Sequence, residues 1–401
     1  MLISFSGTWM QSVAQSWLVF RLTQSAWLLG LTGFASQVPV FLVTPLAGVI
    51  ADRHSRHRIV ILTQVASMVQ ALLLAWLTLS GHVTVNAILA LAVVLGIINA
   101  VDLPVRQSFL VELVGKQDLM NAISLNSTMV NGARIIGPAI AGVIVAWLGE
   151  GPCFLINGLS YGVVIAGLLA MRIGGGQARR PDGSALSDFV EGLDYVRHTK
   201  GIRAVLLLIA LVSLCGLPYL VLMPIFASQV LGGGADVLGL LLVGGGLGAL
   251  AGALTLASRT SAKGLGRVVT LSVAAFGILL VLFSFSTNLL LSIALLVPGG
   301  FTVMLHMSGS NTLLQTMVPD RMRGRVMSFY TLSLMGIAPF GSLLAGAVAT
   351  RIGAAHTVAV GGLFCLAGAL LFKSQLAGLG GSDVGDQRTE VRDQGPLTSD
   401  L

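Results

Sequence analysis

The chain has 401 residues, of which 55% are hydrophobic and only 10% are charged. A soluble domain carries charge on about 25% of its residues, so this composition excludes a soluble globular protein and indicates a chain that lies mostly in lipid. The three scattered cysteines are too few for a disulfide framework or a metal site, and we expect neither a metal nor another cofactor.

Twelve apolar runs are each long enough to cross a bilayer as a helix, for which about 20 residues are needed. They predict an all-α integral membrane protein with twelve transmembrane helices. No basic residue precedes the first run and no cleavage site follows it, so we predict no cleaved signal peptide and expect a slightly longer natural N-terminus. The predicted spans are 2–20, 26–50, 59–80, 84–107, 119–148, 152–172, 203–229, 235–258, 267–286, 288–313, 326–350 and 354–373.

The basic residues predict the orientation of these spans. If the N-terminus is cytoplasmic, the inside segments and the helix ends that border them hold 20 of the 23 Lys and Arg residues. Positive charge stays on the cytoplasmic side, so we predict a multi-pass protein of the inner membrane with both termini in the cytoplasm. The same asymmetry accounts for the net charge of +7, and we expect no nucleic acid partner.

Two regions lie outside the predicted spans. Segment 173–202 carries apolar residues at helical spacing, which predicts an amphipathic helix on the inner membrane surface. The stretch 375–401 is rich in Gly and Asp and is predicted to be disordered. We therefore predict a six-helix half at 1–172, a linker at 173–202, a second six-helix half at 203–374 and a tail at 375–401. The apolar linker positions are Leu186, Phe189, Val190, Leu193 and Val196.

The second half repeats the first at an offset of 204 residues. Segment 110–149 aligns without a gap with 314–353, and Gly137 meets Gly341. Because the offset covers six predicted helices, the two copies have the same orientation, which predicts parallel halves with a substrate site between them. Further glycine pairs at this offset are Gly142 with Gly346 and Gly149 with Gly353.

The loop between predicted spans 2 and 3 carries Gly48, Asp52, Arg53, Arg56 and Arg58. This pattern resembles the G-x-x-x-D-R-x-G-R-[KR] signature of the major facilitator superfamily, with a serine in place of the second glycine. In this interpretation Gly48 allows close helix contact, Asp52 latches one conformation, and the arginines bind anionic headgroups. The alternative is that these residues only keep the loop inside.

Predicted span 5 contains Gly132, Gly137, Pro138 and Gly142, and it resembles the Gly-Pro motif of exporters in the same superfamily. The glycines form a small-residue face, and the proline frees a backbone carbonyl and bends the helix. Ordinary small-residue packing is the alternative explanation, since membrane helices often contain Gly and Pro.

Three further stretches, 102–107, 121–126 and 323–328, resemble the subgroup that contains the enterobactin exporter and related transmembrane secretion effectors. The last stretch holds Arg323, Gly324 and Arg325, which we assign to the gating motif. The resemblance covers essentially the whole chain. It implies a facilitator fold, alternating access and export by proton antiport.

Few charges lie inside the predicted spans, and each is a functional candidate because burying charge in lipid is costly. Asp102 and Arg134 lie at similar depths of neighbouring spans, so we predict that they pair and that a proton arriving at Asp102 releases Arg134. A static bridge between the helices is the alternative. His306 is a further proton-coupling candidate because imidazole titrates near neutral pH, although a packing role is the alternative there.

Gln11 and Gln15 share one face of predicted span 1, close to Trp9 and Trp17. Amides and aromatic rings on one helix face suit a cavity wall that binds an amphipathic organic molecule, and hydrogen bonding between helices is the alternative. The absence of an acidic ladder or an arginine cluster favours a neutral or weakly charged substrate. Weaker cavity candidates are Asn99, Asn126, Asn131, Asn157 and Tyr219.

These features predict a monomeric secondary transporter whose partners are the lipid bilayer, a small organic substrate and protons. An importer of a nutrient stays open, because export is implied by the resemblance alone. A receptor that kept the fold and lost transport is also open. A membrane enzyme is disfavoured, since the sequence carries no His cluster, CxxC motif or phosphate-binding Gly-Lys loop.

Overall fold

A computed structural model describes residues 2–53, 55–171, 185–259, 261 and 264–378. All regular secondary structure within these ranges is helical. Eleven helical segments in the described ranges are long and apolar enough to cross a membrane. The helix Leu2–Thr23, with 22 residues, is also long enough and packs among them. The predicted all-α fold of twelve transmembrane helices is confirmed.

The spans and the helix that links the two halves follow in chain order. Spans 1 to 6 are Leu2–Thr23, Ala26–Arg53, Arg56–Leu79, Val85–Val114, Thr128–Leu148 and Gly151–Ala170. The linker helix is Ala185–His198. Spans 7 to 12 are Lys200–Val230, Ala235–Ala257, Leu265–Ser284, Leu289–Met317, Asp320–Ile352 and Ala354–Gly378.

The segment 108–118, which we predicted to be a loop, is helical. Spans 4 and 5 belong to one continuous helix, Val85–Leu148. Glu, Leu, Lys, Gln and Met all occur in its middle, and these residue types favour helix even where the chain is too polar to cross lipid. Arg106 and Arg134 of this helix lie against Phe5 and Trp9, which are close neighbours in span 1. Because a straight helix would carry Arg134 about 42 Å away from Arg106, the helix axis reverses direction between the two spans.

Spans 7 and 11 are interrupted by π-helical turns. Span 7 contains two of them, at Val212–Gly216 and Phe226–Val230, and span 11 contains one, at Leu332–Gly336. Pro218 and Pro224 of span 7 lie between its two turns. Since proline lacks a backbone N–H, the regular hydrogen-bond ladder cannot continue through these positions, and the wider turns absorb the break.

Matching glycines show that the two halves have the same internal packing. A Cβ on Gly137 of span 5 would lie 2.5 Å from Cβ of Trp9 in span 1. A Cβ on Gly341 of span 11 would lie 2.7 Å from the carbonyl oxygen of Leu214 in span 7. Spans 5 and 1 therefore pack as spans 11 and 7 do. Such equivalent contacts are expected for two parallel copies of one repeat.

The halves meet through four glycines. A Cβ on Gly142 of span 5 would lie 3.1 Å from Cα of Gly239 in span 8, and a Cβ on Gly30 of span 2 would lie 2.9 Å from Cα of Gly346 in span 11. All four lie near the span ends that are remote from the linker helix. Because only glycine lets backbones approach so closely, the two halves are in direct contact at that end.

The linker helix docks on the start of span 11, and its predicted position on the inner membrane surface stays a prediction. Its Phe189 ring lies 5.1 Å from the Phe329 ring, and its Glu191 carboxylate lies 2.7 Å from the Arg325 guanidinium. The helix of span 12 continues to Gly378, beyond the predicted end of the second half at residue 374. The rest of the predicted disordered tail lies outside the described residues.

Candidate functional site

Asp102 lies in span 4 with only 1% of its surface exposed. Thr63 Oγ1 donates a hydrogen bond of 2.6 Å to its Oδ1, and Gln64 Nε2 donates to the same oxygen at 3.1 Å. The Arg106 guanidinium pairs with Oδ2. The carboxylate is therefore satisfied as an anion by two donors from span 3 and one cation from its own helix, as a buried charge requires.

Arg106 extends this cluster toward span 1. Its guanidinium lies 5.4 Å from the centroid of the Phe5 ring, a cation–π distance. Its Nε is buried and donates no hydrogen bond to the protein. The ion pair with Asp102 thus connects spans 1, 3 and 4, and a change in the charge of Asp102 would alter contacts of all three spans.

The predicted pair between Asp102 and Arg134 is wrong. Asp102 pairs with Arg106, which lies one turn further along the same helix and therefore on the same face. Arg134 instead places its guanidinium 5.2 Å from the centroid of the Trp9 ring. The prediction compared the depth of the two residues and not the faces of their helices. Arg106, which the sequence analysis missed as a partner, is signalled by its i+4 spacing from Asp102.

Trp9 and Arg134 are thus brought together, and Tyr219 lies close by in the other half. A Cβ on Gly245 of span 8 would lie 3.9 Å from the Tyr219 hydroxyl, and a Cβ on Gly246 would lie 3.5 Å from the Arg134 carbonyl oxygen. Trp9 and Arg134 are half-buried, whereas the Tyr219 ring packs edge-on against Phe276. This group lies where spans 1 and 5 face spans 7 and 8.

Gln11 is engaged in hydrogen bonds between helices. Its Nε2 donates to Oε1 of Gln70 in span 3 at 3.1 Å, and its Oε1 accepts from Nδ2 of Asn157 in span 6 at 2.7 Å. This supports the packing alternative for Gln11. Gln15 is buried on the same side of span 1, and Asn126 and Asn131 are half-buried in the helix of span 5. Their assignment to a substrate cavity stays a prediction.

His306 is buried in span 10, with 2% of its surface exposed. Its Nδ1 lies 3.3 Å from the Ser310 hydroxyl, one turn further along the same helix. This contact fits a hydrogen-bonded packing role, and a part in proton transfer stays a prediction.

Two grooves lie along the surface of the first half. The larger, of 530 Å³, runs between spans 3 and 4, and Thr63, the donor to Asp102, forms part of its wall. The smaller, of 440 Å³, lies between spans 2 and 4 and has an entirely apolar wall. In the part of the chain that the structure describes, no three His, Cys, Asp or Glu side chains lie close enough together to bind a metal ion.

Nearly the whole chain matches one family model. Residues 1–390 fit the family described as transmembrane secretion effector. The chain belongs to this family. The chain is therefore a multi-pass secondary transporter of the major facilitator superfamily and of the efflux type. This confirms the predicted family and the predicted class of transporter.

Other transporters are similar to this transmembrane secretion effector over most of its length. The staphyloferrin A transporter of Staphylococcus aureus is 29% identical over 371 residues, which cover 92% of each chain. The multidrug efflux pump Tap of Mycolicibacterium fortuitum is 25% identical over 87% of each chain. A bacterial homologue of the human lysosomal transporter Spinster, solved in an inward-facing and occupied conformation, shares the fold with a TM-score of 0.73 at 14% identity, over 94% of this chain and 95% of that one.

The loop motif of this secretion effector is described only in part. The side chains of residues 45–54 lie outside the described residues, so the roles predicted for Gly48, Asp52 and Arg53 are not tested. Arg56 pairs with Glu112 at the end of span 4, and Arg58 is exposed. The Arg56 pair ties the start of span 3 to span 4.

The corresponding residues at the start of span 11 form two ion pairs. Arg325 binds Glu191 of the linker helix, whereas Arg323 lies 2.5 Å from Asp320 of its own helix. Gly324 is exposed, and a Cβ there would meet no atom within 4 Å, so close packing does not explain this glycine.

The residues of the span 5 motif lie in three different environments. Gly137 packs on span 1, and Gly142 packs on span 8 of the other half. A Cβ on Gly239 of span 8 would lie 2.9 Å from the carbonyl oxygen of Pro138, so the backbone at Pro138 also packs against span 8. At Gly132 the nearest neighbour of an added Cβ is the side chain of Leu2 at 3.9 Å, which leaves room for a larger residue.

Proposed function

We propose that this chain exports a small organic molecule, such as a drug, a siderophore or a metabolite, across the cytoplasmic membrane in exchange for protons. Two relatives, a staphyloferrin A transporter and a multidrug efflux pump, support this class of substrate. The positive charge of the predicted inside segments supports cytoplasmic termini. We propose that a single chain is sufficient, with the substrate site between its two halves.

The Asp102 cluster carries the proposal of proton coupling. Asp102 is a buried carboxylate within a membrane span, where ionisable side chains are costly and mark functional sites. As an anion it holds Arg106 of its own span and accepts hydrogen bonds from Thr63 and Gln64 of span 3. A proton on Asp102 removes the charge that holds Arg106, and the connection between spans 1, 3 and 4 weakens.

Alternating access supplies the transport step. In the described state the halves touch through Gly142 with Gly239 and through Gly30 with Gly346, which closes the end remote from the linker helix. Rocking of the two halves about the central site opens this end and closes the other. Protonation of Asp102 favours one of the two states because it changes the contacts of span 4 with its neighbours.

The ion pairs at the linker end are the proposed latch. Arg56 holds Glu112 within the first half, and Arg325 holds Glu191 of the linker helix. The loop motif with Asp52 and Arg53 lies at the same end of span 2 and is proposed to close against the second half when the remote end opens.

The experiment that tests the proposal is a substrate screen in strains that lack or overproduce the protein. Overproduction should lower susceptibility to at least one drug or raise secretion of a siderophore, and an uncoupler should abolish the effect. Intake of the molecule instead of release would identify an importer. An effect that persists after the proton gradient is removed would contradict proton coupling.

A further inference from the structure

Arg134 is a membrane-embedded cation with unmet hydrogen-bonding capacity. Its guanidinium lies 5.2 Å from the centroid of the Trp9 ring, and its Nε is buried without a hydrogen-bond acceptor. An aromatic face offers only part of the stabilisation that water or a carboxylate gives to a guanidinium. The residue thus lies in an apolar span with a donor that the protein does not satisfy.

The buried acidic side chains among the described residues already form ion pairs with other arginines. Asp102 pairs with Arg106, and Glu150 pairs with Arg21 through two hydrogen bonds of 2.7 and 3.1 Å. In the portion of the chain that the structure describes, no carboxylate pairs with Arg134. An unpaired cation in a membrane span is costly, so its retention points to an anion that comes from outside the protein.

The surroundings of Arg134 suit an aromatic or apolar molecule that carries such an anion. Trp9 offers a ring that is half-buried and therefore still open on part of its surface. The Tyr219 hydroxyl, beside Gly245 of span 8, is a further donor from the second half. Because spans 1 and 5 meet spans 7 and 8 here, an occupant would touch both halves of the transporter.

We infer that Arg134 forms the anion-binding subsite of the transported molecule, with a carboxylate bound to the guanidinium and the apolar part of the molecule against Trp9. The planar guanidinium matches a carboxylate and binds it more tightly than a neutral group. This inference rests on the proposed function and narrows its substrate class to amphipathic carboxylates. It replaces the expectation of a neutral or weakly charged substrate, which followed from the absence of an acidic ladder or an arginine cluster in the sequence.

A pair of probes that differ in charge tests the inference. Binding of 2-naphthoate and of 2-naphthalenemethanol to the purified protein in detergent micelles is measured by equilibrium dialysis, with protein-free micelles as the blank. Because a hydrogen bond to a charged group outweighs a neutral one, wild type should bind the carboxylate about tenfold or more tightly than the alcohol. Arg134→Gln should remove this preference, and Arg134→Lys should retain part of it, since it keeps the charge and loses the planar fork.

An arginine that already has a carboxylate partner provides the matched control. The double variant Arg21→Gln with Glu150→Gln removes that ion pair and should keep the full preference for naphthoate. Equal binding of the two probes by wild type, or a preference that survives in Arg134→Gln, would overturn the inference. If Arg134→Gln does not elute as a single folded species, Arg134→Met serves as a second neutral replacement, and a preference that survives in that variant overturns the inference equally.

The binding assay also separates this inference from the proposed function. Charge-selective binding that depends on Arg134, in a protein that exports nothing in the screen, would contradict export and support the subsite. Export of neutral compounds only, at a rate that Arg134→Gln leaves unchanged, would contradict the subsite and support export.

Discussion

At the scale of single residues, two arginines that lie against aromatic rings in the described spans are stabilised in different ways. Arg106 has a carboxylate partner in Asp102, whereas Arg134 has the face of Trp9. The Arg106–Asp102 pair needs no ligand, and it responds to a proton because protonation of Asp102 removes the negative charge. Arg134 lacks such a carboxylate, and in our proposal the bound substrate supplies it. The chain therefore separates the proposed proton site from the proposed substrate site.

Asp102→Asn is expected to abolish proton-driven transport while the protein remains in the membrane at its normal level. The amide has the size of the carboxylate and can accept from Thr63, but it neither binds nor releases a proton. The transport rate of a substrate found in the screen is measured in vesicles with an imposed pH gradient. An immunoblot measures the amount of the protein in the membrane. Asp194→Asn is the control, since Asp194 lies on the linker helix with 71% of its side chain exposed. A wild-type rate in Asp102→Asn would disprove the coupling role.

The sequence predicted which charged residues belong to the candidate site, but it did not predict which residues they pair with. Asp102 and Arg134 were recognised because charge is rare in apolar spans, and that signal needs only composition. Their partners depend on which face of each helix they occupy, and depth along the span does not contain this information. Gln11 shows the same limit, since its spacing from Gln15 does not tell whether its face meets a cavity or the amides of Gln70 and Asn157.

At the scale of elements, span 5 combines packing within one half and contact between the halves. Gly137 brings it against span 1, and one and a half turns later Gly142 brings it against span 8. The span boundaries were predictable because the backbone in lipid must be helical and apolar. The helix through 108–118 was not, since a polar segment outside the membrane can be loop or helix, and hydropathy does not distinguish the two.

Gly137→Ala is expected to destabilise the protein by about 1–3 kcal/mol, the usual cost of an added methyl group in a tightly packed position. Its Cβ would lie 2.5 Å from Cβ of Trp9 and 2.8 Å from the carbonyl oxygen of Ser6. Gly132→Ala, five residues earlier in the same helix, should leave stability unchanged or raise it, because space is available there and alanine favours helix. Thermal unfolding in detergent compares the two variants. A lower midpoint for Gly132→Ala than for Gly137→Ala would contradict the packing described.

At the scale of the whole molecule, the repeat explains why one chain can close at either end. Gly142 of span 5 contacts span 8, and Gly346 of span 11 contacts span 2, so each half supplies the same element to the interface. Gly149 and Gly353, which directly follow spans 5 and 11, also share a positive φ, of 81° and 83°. Two equivalent contacts related in this way suit a rocking motion about the centre.

The orientation of the molecule is predicted from charge alone and can be tested by labelling. In a variant without Cys153, Cys215 and Cys365, a cysteine is placed either at Ser80, between spans 3 and 4, or at Asp194 of the linker helix. A membrane-impermeant maleimide added to intact cells should label Ser80→Cys and leave Asp194→Cys unlabelled until the membrane is opened. Labelling of Asp194→Cys in intact cells would reverse the orientation and exclude cytoplasmic termini.

Proton-coupled export is tested most directly by following substrate and protons together in inside-out membrane vesicles. Respiration acidifies the vesicle lumen, and a pH-sensitive acridine dye reports the gradient while a substrate found in the screen is added. We predict that the substrate accumulates in the lumen and that the pH gradient falls as more of it is added. Loss of substrate from the lumen, or accumulation that leaves the pH gradient untouched, would contradict export driven by protons.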